Sequence, residues 1–292
     1  MDASAVELLA GKSAGIDGYL VRELEPAIEE TAAEAEAYDQ FDRLYGEILY
    51  QGFAESALRM GVAGGRVLDV SGGSPRIAIR LARLNPRFSF EVMVLSTTMK
   101  QLAQRCVAEE KLEDRVRVCL WDAKQLPFEP GSFDLVISNN MLHRVRDPLI
   151  VLREIHRVAS SRGALLIRDV RRLPSPWMGL LLPLYCLRYD ATLKRVAEGA
   201  FRAALSYQEL AELLPASGLE RARITKYFVT SIGVEVPALS FEPSLALPPA
   251  PAPQSLALRL AKSLYVSRSR PGARAPAAPR GDGAPESRTL WR

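Results

Sequence analysis

From residue 64 to about 170 the chain alternates two hydrophobic rhythms. Short, almost continuous apolar runs give way to stretches whose apolar residues recur every three or four positions. The runs are Arg66–Val70 (RVLDV), Phe88–Leu95 (FSFEVMVL), Val116–Trp121, Phe133–Ser138 (FDLVIS) and Gly163–Val170 (GALLIRDV), and each reads as a strand. Between them, Ile77, Ile79, Leu81 and Leu84 mark one helical face, and Met99, Leu102 and Cys106 mark another. Three start signals fit those helices: Ser74 as N-cap with Pro75 as first helical residue, Ser96, and Asp147 with Pro148 opening a helix to about Ala159. Strands apolar on both faces and separated by helices belong in a parallel sheet covered on both sides. The pattern predicts a doubly wound, mostly parallel α/β domain. Its ligand site lies beyond the carboxyl ends of the strands, near the first strand-to-helix turn, Ser71–Gly72–Gly73–Ser74.

The flanks follow other rules. Residues 1–62 form an Ala- and Glu-rich segment in which Phe41, Leu44, Tyr45, Ile48 and Leu49 share a helical face. The α/β pattern occupies 63–240, interrupted at 171–205 and resumed at Ser206–Glu209, a capping-box signature. Residues 241–292 are Pro-, Ala- and Arg-rich, with too few large apolar side chains to order themselves. One short amphipathic stretch, near 255–266, places Leu256, Leu260 and Leu264 on one face.

The net charge of +4 suggests a nucleic-acid ligand until it is located. Between Ser267 and Arg292 stand Arg268, Arg270, Arg274, Arg280, Arg288 and Arg292 against Asp282 and Glu286, which is the whole excess. The body is therefore neutral and no nucleic acid is expected as a partner; Trp291 is the only aromatic residue in that tail. Cys106, Cys119 and Cys186 form no CxxC pair, which excludes a disulfide scaffold and fits a reducing compartment. With His143 and His156 as the only histidines, no metal site is expected. The first residues lack a basic segment followed by an apolar one, and no apolar run reaches 18 residues. A cytoplasmic protein without a transmembrane segment is expected; the pattern specifies no oligomeric state.

The order of segments is more specific than any one of them. RVLDVSGGS (66–74), LSTTMKQLA (95–103), WDAKQLPFEPGSFDLVISNNMLH (121–143), DPLIVLREIHRVASSRGALLIRD (147–169) and SYQELAELLPASGLERARITKY (206–227) together resemble class I S-adenosylmethionine-dependent methyltransferases. The likeness is to the small-molecule branch that includes the quinone-biosynthesis C-methyltransferases. It implies a seven-stranded Rossmann-like sheet, S-adenosylmethionine as cofactor and a small-molecule acceptor. By that resemblance Ser71, Gly72 and Gly73 hold the methionine carboxylate through backbone N–H groups, a role that suits a Gly-rich turn at a helix start. Asp69 supports the turn, Leu95 closes the second strand, and Asp122, with Ala123 beside it, accepts from the adenine amino group. Ser138 and Asn139 line the path to the acceptor. Asn140 and His143 are the candidates for proton chemistry, although a His at this position also suits a loop-orienting role. Methyl transfer itself asks mainly for in-line approach, and a base only where the acceptor must lose a proton.

Two positions depart from the family pattern. Pro75 stands where a third glycine is usual and removes an N–H at the helix start. Val94 stands where an acid normally grips the ribose hydroxyls, and Glu91 is too far along the strand to replace it. Restoring the acid, Val94→Asp, is expected to tighten cofactor binding. Two functions stay open: an active methyltransferase with an altered cofactor grip, and an inactive methyltransferase fold serving as a binding or scaffold module. The interruption at 171–205 contains Trp177, Met178, Leu180, Leu181, Leu182, Leu184 and Tyr185. It is expected to wall an apolar acceptor pocket, to pack on the core or a second subunit, or to meet a membrane interface with Arg188, Lys194 and Arg195 nearby.

Overall fold

The computed structural model describes residues 22–24, 39, 46, 50–186, 191–227 and 230–239. The apolar series at 41–49, Arg188 and the tail from 240, including its amphipathic stretch, lie outside the described residues. A helix α1 (50–58) precedes the sheet. Then come β1 (Gly65–Gly72), α2 (Arg76–Leu84), β2 (Phe88–Val94), α3 (Thr97–Glu109), β3 (Val116–Leu120) and β4 (Phe133–Asn139). A 3-10 turn (Leu142–Arg144) leads to α4 (Pro148–Val158), β5 (Ala159–Val170), α5 (Ser175–Tyr185), α6 (Ala191–Ala203), α7 (Tyr207–Ala216), β6 (Arg223–Tyr227) and β7 (Ser231–Val236).

The strands assemble in the order β3-β2-β1-β4-β5-β7-β6. Every pairing is parallel except those of β7, which runs antiparallel to both β5 and β6. Strand alternation divides the core in two. Val67, Phe90, Val92, Ile137 and Leu166 face α1, α2 and α3, meeting Phe53, Leu81 and Leu102. Leu68, Val70, Val136, Leu165 and Ile167 face α4 and α7, meeting Leu152, Ile155 and Leu213. Each apolar run needed both faces buried because helices cover both. At the interruption, Arg171 bridges Leu205 in parallel, so the two helices of 171–205 leave and rejoin the domain at adjacent points.

Two start signals act as the sequence indicates: the Ser96 hydroxyl accepts from Met99 N–H, and Asp147 accepts from Leu149 N–H. Ser206 and Glu209 form the reciprocal capping box. Ser74 does not cap. The helix begins one residue later, with Pro75 as the N-cap residue at φ −79° and its carbonyl accepting from Ile79 N–H at 2.9 Å. The ring fixes a φ that lets the Pro75 carbonyl open the ladder, which leaves the Ser74 hydroxyl one position short of the first turn. β5 also starts earlier than the apolar run suggests. Phe133 pairs with Ala159, a bulge follows, and the polar residues 160–162 extend the strand before Leu135 pairs with Ala164. Gly163 is required there, since a Cβ would stand 2.6 Å from the Asp134 carbonyl oxygen.

Candidate active site

The strand order places the carboxyl ends of β3, β2, β1, β4 and β5 side by side, and every sequence-derived candidate except Asp122, Ala123 and His143 stands on one of those ends or the residue after it. At the end of β1, Asp69 is 1% exposed. Its Oδ1 accepts from Ser71 N–H at 3.0 Å and from the Ser71 hydroxyl. The same hydroxyl oxygen accepts from Asn139 N–H at 3.0 Å, so Ser71 couples the end of β1 to the end of β4. Asp69 Oδ2 is buried and has no hydrogen-bond partner. Burial holds the Asp69 carboxyl up to about 6, against the lowering effect of the two Ser71 hydrogen bonds. Ser71 is thus built into the turn. Its N–H is spent on Asp69.

Gly72 has φ +75°, a conformation that excludes side chains of ordinary residues at low cost. Gly73 is different: a Cβ there would meet nothing within 4 Å, so the turn opens onto free space beside it. Pro75 proves a milder departure than the sequence implies. As the N-cap residue it precedes the helix, so Arg76, Ile77 and Ala78 keep the amide hydrogens that a helix start offers an anion.

Leu95, just past β2, is 55% exposed and lies near Gly72. Val94, paired in register with Gly72, is fully buried among the residues packed on α2 and α3. An aspartate at 94 would enter that apolar cluster, so the expected gain from Val94→Asp is withdrawn. Past β3, Asp122 is exposed; its Oδ1 accepts from Lys124 N–H at 2.9 Å and its Oδ2 lies 3.1 Å from Lys124 Nζ. Ala123 is buried behind it, and Trp121 packs edge-on to Phe128 with ring centroids 4.7 Å apart.

At the end of β4, Ser138 is buried, and Asn140 is exposed at φ +55° with its N–H donating to the Arg168 carbonyl at 2.8 Å. His143 is buried, not presented to solvent: its Nδ1 is 2.6 Å from Asp169 Oδ1, while Asp169 Oδ2 accepts from Leu142 N–H at 2.6 Å. One carboxylate therefore clamps the 3-10 turn twice, and His143 is a part of that clamp. Asp169 also lines a narrow, water-sized cleft with Leu142, Ile167, Leu205 and Ile232.

Three side chains near these strand ends were not singled out from sequence. Arg168 is 4% exposed. Its guanidinium carbon lies 3.9 Å from the Tyr227 ring centroid and 5.2 Å from that of Phe53, and Nη2 reaches Ser56 Oγ at 3.3 Å. Arg172, also buried, pairs with Glu209 of the capping box. Arg22 donates to the carbonyls of Ala203 at 2.7 Å and Val145 at 2.8 Å. The only signal for the first two is the basic run at the end of an apolar strand, RDVRR (168–172).

A parallel sheet closed by an antiparallel hairpin, with a glycine turn and a buried Asp at the end of β1 and an exposed Asp past β3, fits a nucleoside-cofactor domain of the doubly wound class. Comparison with known proteins narrows the class. Residues 68–167 match the family described as Methyltransferase domain. The chain is 26% identical over 173 residues to the ubiquinone/menaquinone biosynthesis C-methyltransferase of Rhizobium rhizogenes, covering 56% of this chain and 67% of that one. It is 33% identical over 159 residues to the 27-O-demethylrifamycin SV methyltransferase of Amycolatopsis mediterranei, covering 47% of this chain and 57% of the relative. The matched segments thus span roughly three fifths of those relatives' lengths. In fold it is similar to a Methanococcus maripaludis protein described as an S-adenosylmethionine-dependent methyltransferase, at a TM-score of 0.58 and 20% identity, over 74% of this chain and 97% of that one. Residues 68–167 thus match a methyltransferase family, and the chain is similar to S-adenosylmethionine-dependent methyltransferases in sequence and in fold.

Proposed function

We propose that the chain transfers a methyl group from S-adenosylmethionine to an apolar small-molecule acceptor, in the cytoplasm that its three unpaired cysteines fit. The observation that carries this reading is the cradle at Gly73, open where a Cβ would meet nothing, directly after the left-handed Gly72 and beside the exposed ends of β2 and β3. The residues fit the cofactor. Gly72, Gly73 and the first turn of α2 offer backbone N–H groups for its carboxylate, and the orphaned Asp69 Oδ2 suits its ammonium. Leu95 covers apolar surface, and Asp122 is free to exchange its exposed Lys124 contact for an adenine amino group. When bound, S-adenosylmethionine supplies an electrophilic methyl on a sulfonium. The protein's own task is to orient: Ser71 fixes the β1 and β4 ends together, and the Asp169 clamp fixes the turn that follows β4. His143 holds that turn, so no side chain in reach needs to serve as base for an acceptor that ionises on its own.

A second reading, a binding or scaffold module without catalysis, is favoured by one observation. Val94 is buried and supplies no carboxylate for the ribose. Calorimetric titration with S-adenosylhomocysteine separates the two. Saturable binding at micromolar ligand, weakened tenfold or more by Gly73→Val with an unchanged melting temperature, supports the enzyme. Absence of heat at millimolar ligand supports the scaffold.

A further inference from the structure

Helix α5 carries no charged residue along its 11 positions, SPWMGLLLPLY. A helix apolar all round belongs inside a core or a membrane. α5 lies on the surface. Its inner side packs Met178 against Leu173 and Phe201, yet Trp177 is 53% and Leu180 57% exposed. At a rise of 1.5 Å per residue it is about 16 Å long, half the ~30 Å of a bilayer's hydrocarbon core. No helix among the described residues is long and apolar enough to cross a membrane.

Charge decides what such a surface meets. On the following helix, Lys194 and Arg195 are exposed, against one exposed acid in that stretch, Glu198. The segment joining the two helices holds Arg188 and Asp190, which cancel, and the last 26 residues carry six arginines against two acids. The exposed side chains at the start of the following helix are therefore weighted towards cations. An indole beside an aliphatic side chain, flanked by basic residues, is the composition of an element that sits at the headgroup level of an anionic leaflet.

We propose that α5 docks on an anionic lipid surface, with Trp177 and Leu180 entering the headgroup–acyl boundary and Lys194 and Arg195 against the headgroups. The two signals act together, since a short apolar wedge or a basic segment alone gives only marginal, reversible attachment. The helix follows β5, whose carboxyl end borders the candidate site, so docking brings that site to a bilayer-dissolved acceptor. The docking rests on α5 and its charges, not on the reaction.

The test is flotation of the full chain with vesicles of phosphatidylcholine alone or containing one part in four phosphatidylglycerol. Binding to the anionic vesicles, falling steeply with salt and at least tenfold stronger than to the neutral ones, is expected. Trp177→Glu with Leu180→Glu is expected to lower it at least tenfold with the melting temperature unchanged, and Lys194→Glu with Arg195→Glu to lower it several-fold. No flotation with anionic vesicles overturns the proposal, as does equal flotation of the Trp177/Leu180 variant. So does a dimer, seen by light scattering, that this variant dissociates in a chain that does not float. S-adenosylhomocysteine titration of the same preparations reports separately: its failure refutes methyl transfer and leaves the lipid result standing.

Discussion

Asp69 carries an electrostatic cost set by its burial. Its carboxyl is held up to about 6 from an ordinary 3.8, because burial outweighs the two hydrogen bonds from Ser71. The folded chain therefore keeps a proton that the unfolded chain releases from about pH 4. Stability linked to this group is full below the unfolded value and is lost as pH rises through about 6. Two units correspond to ~3 kcal/mol. Asp69→Asn keeps an acceptor for Ser71 and removes the titration. Its stability relative to wild type in urea unfolding should thus rise between pH 4 and pH 7, by up to ~3 kcal/mol. A difference independent of pH would show that Oδ2 already has a charge partner. Both oxygens of Asp169, by contrast, are hydrogen-bonded. Asp169→Ala strands Leu142 N–H and His143 Nδ1 in a buried turn and should cost ~2–4 kcal/mol, whereas Asp169→Asn, which retains one acceptor, should cost less. Thermal denaturation of the pair checks the order.

At the scale of elements, the strands and caps were legible because their causes are local. An apolar run of five to eight residues admits few alternatives when helical spacing follows it, and Ser96, Asp147 and Ser206 each sit directly before the amides they cap. The α2 start was misplaced by one residue because Ser74 and Pro75 compete for the same position, and the ring's fixed φ wins. β5 ran longer than its apolar portion because Phe133 pairs with Ala159 and a bulge carries the polar residues 160–162 between that pair and Leu135–Ala164, which no periodicity reveals. The site was legible as a set of strand ends and not as contacts. Ser71's bridge to Asn139 joins residues 68 positions apart, and the burial of Val94 is decided by α2 and α3. That burial reverses the outcome of one substitution. Val94→Asp should destabilise the fold by about 3–5 kcal/mol, as an unpaired buried charge does, and should not tighten cofactor binding. A Val94→Asp protein that melts like wild type and binds S-adenosylhomocysteine more tightly would mean that the end of β2 opens to the ribose.

At the scale of the molecule, one cation joins the sheet to the helix layer at α1. Arg168 projects from β5 into the α1 side of the sheet, stacks between Phe53 of α1 and Tyr227 of β6, and donates to Ser56 Oγ and the Gly52 carbonyl. Among the described residues no carboxylate forms an ion pair with it, and its Nε has no hydrogen-bond partner. Its contribution to holding α1 and the closing hairpin together is therefore packing and cation–π contact more than charge pairing. Two substitutions separate these. Arg168→Ala empties the space between two rings and should cost ~2–4 kcal/mol, with α1 becoming the first segment cut by limited proteolysis. Arg168→Met fills most of that space and leaves no carboxylate unpaired, so it should remain within about 1.5 kcal/mol of wild type. If Arg168→Met unfolds as readily as Arg168→Ala, the charge itself is indispensable, and an anion must lie beside it in the folded protein.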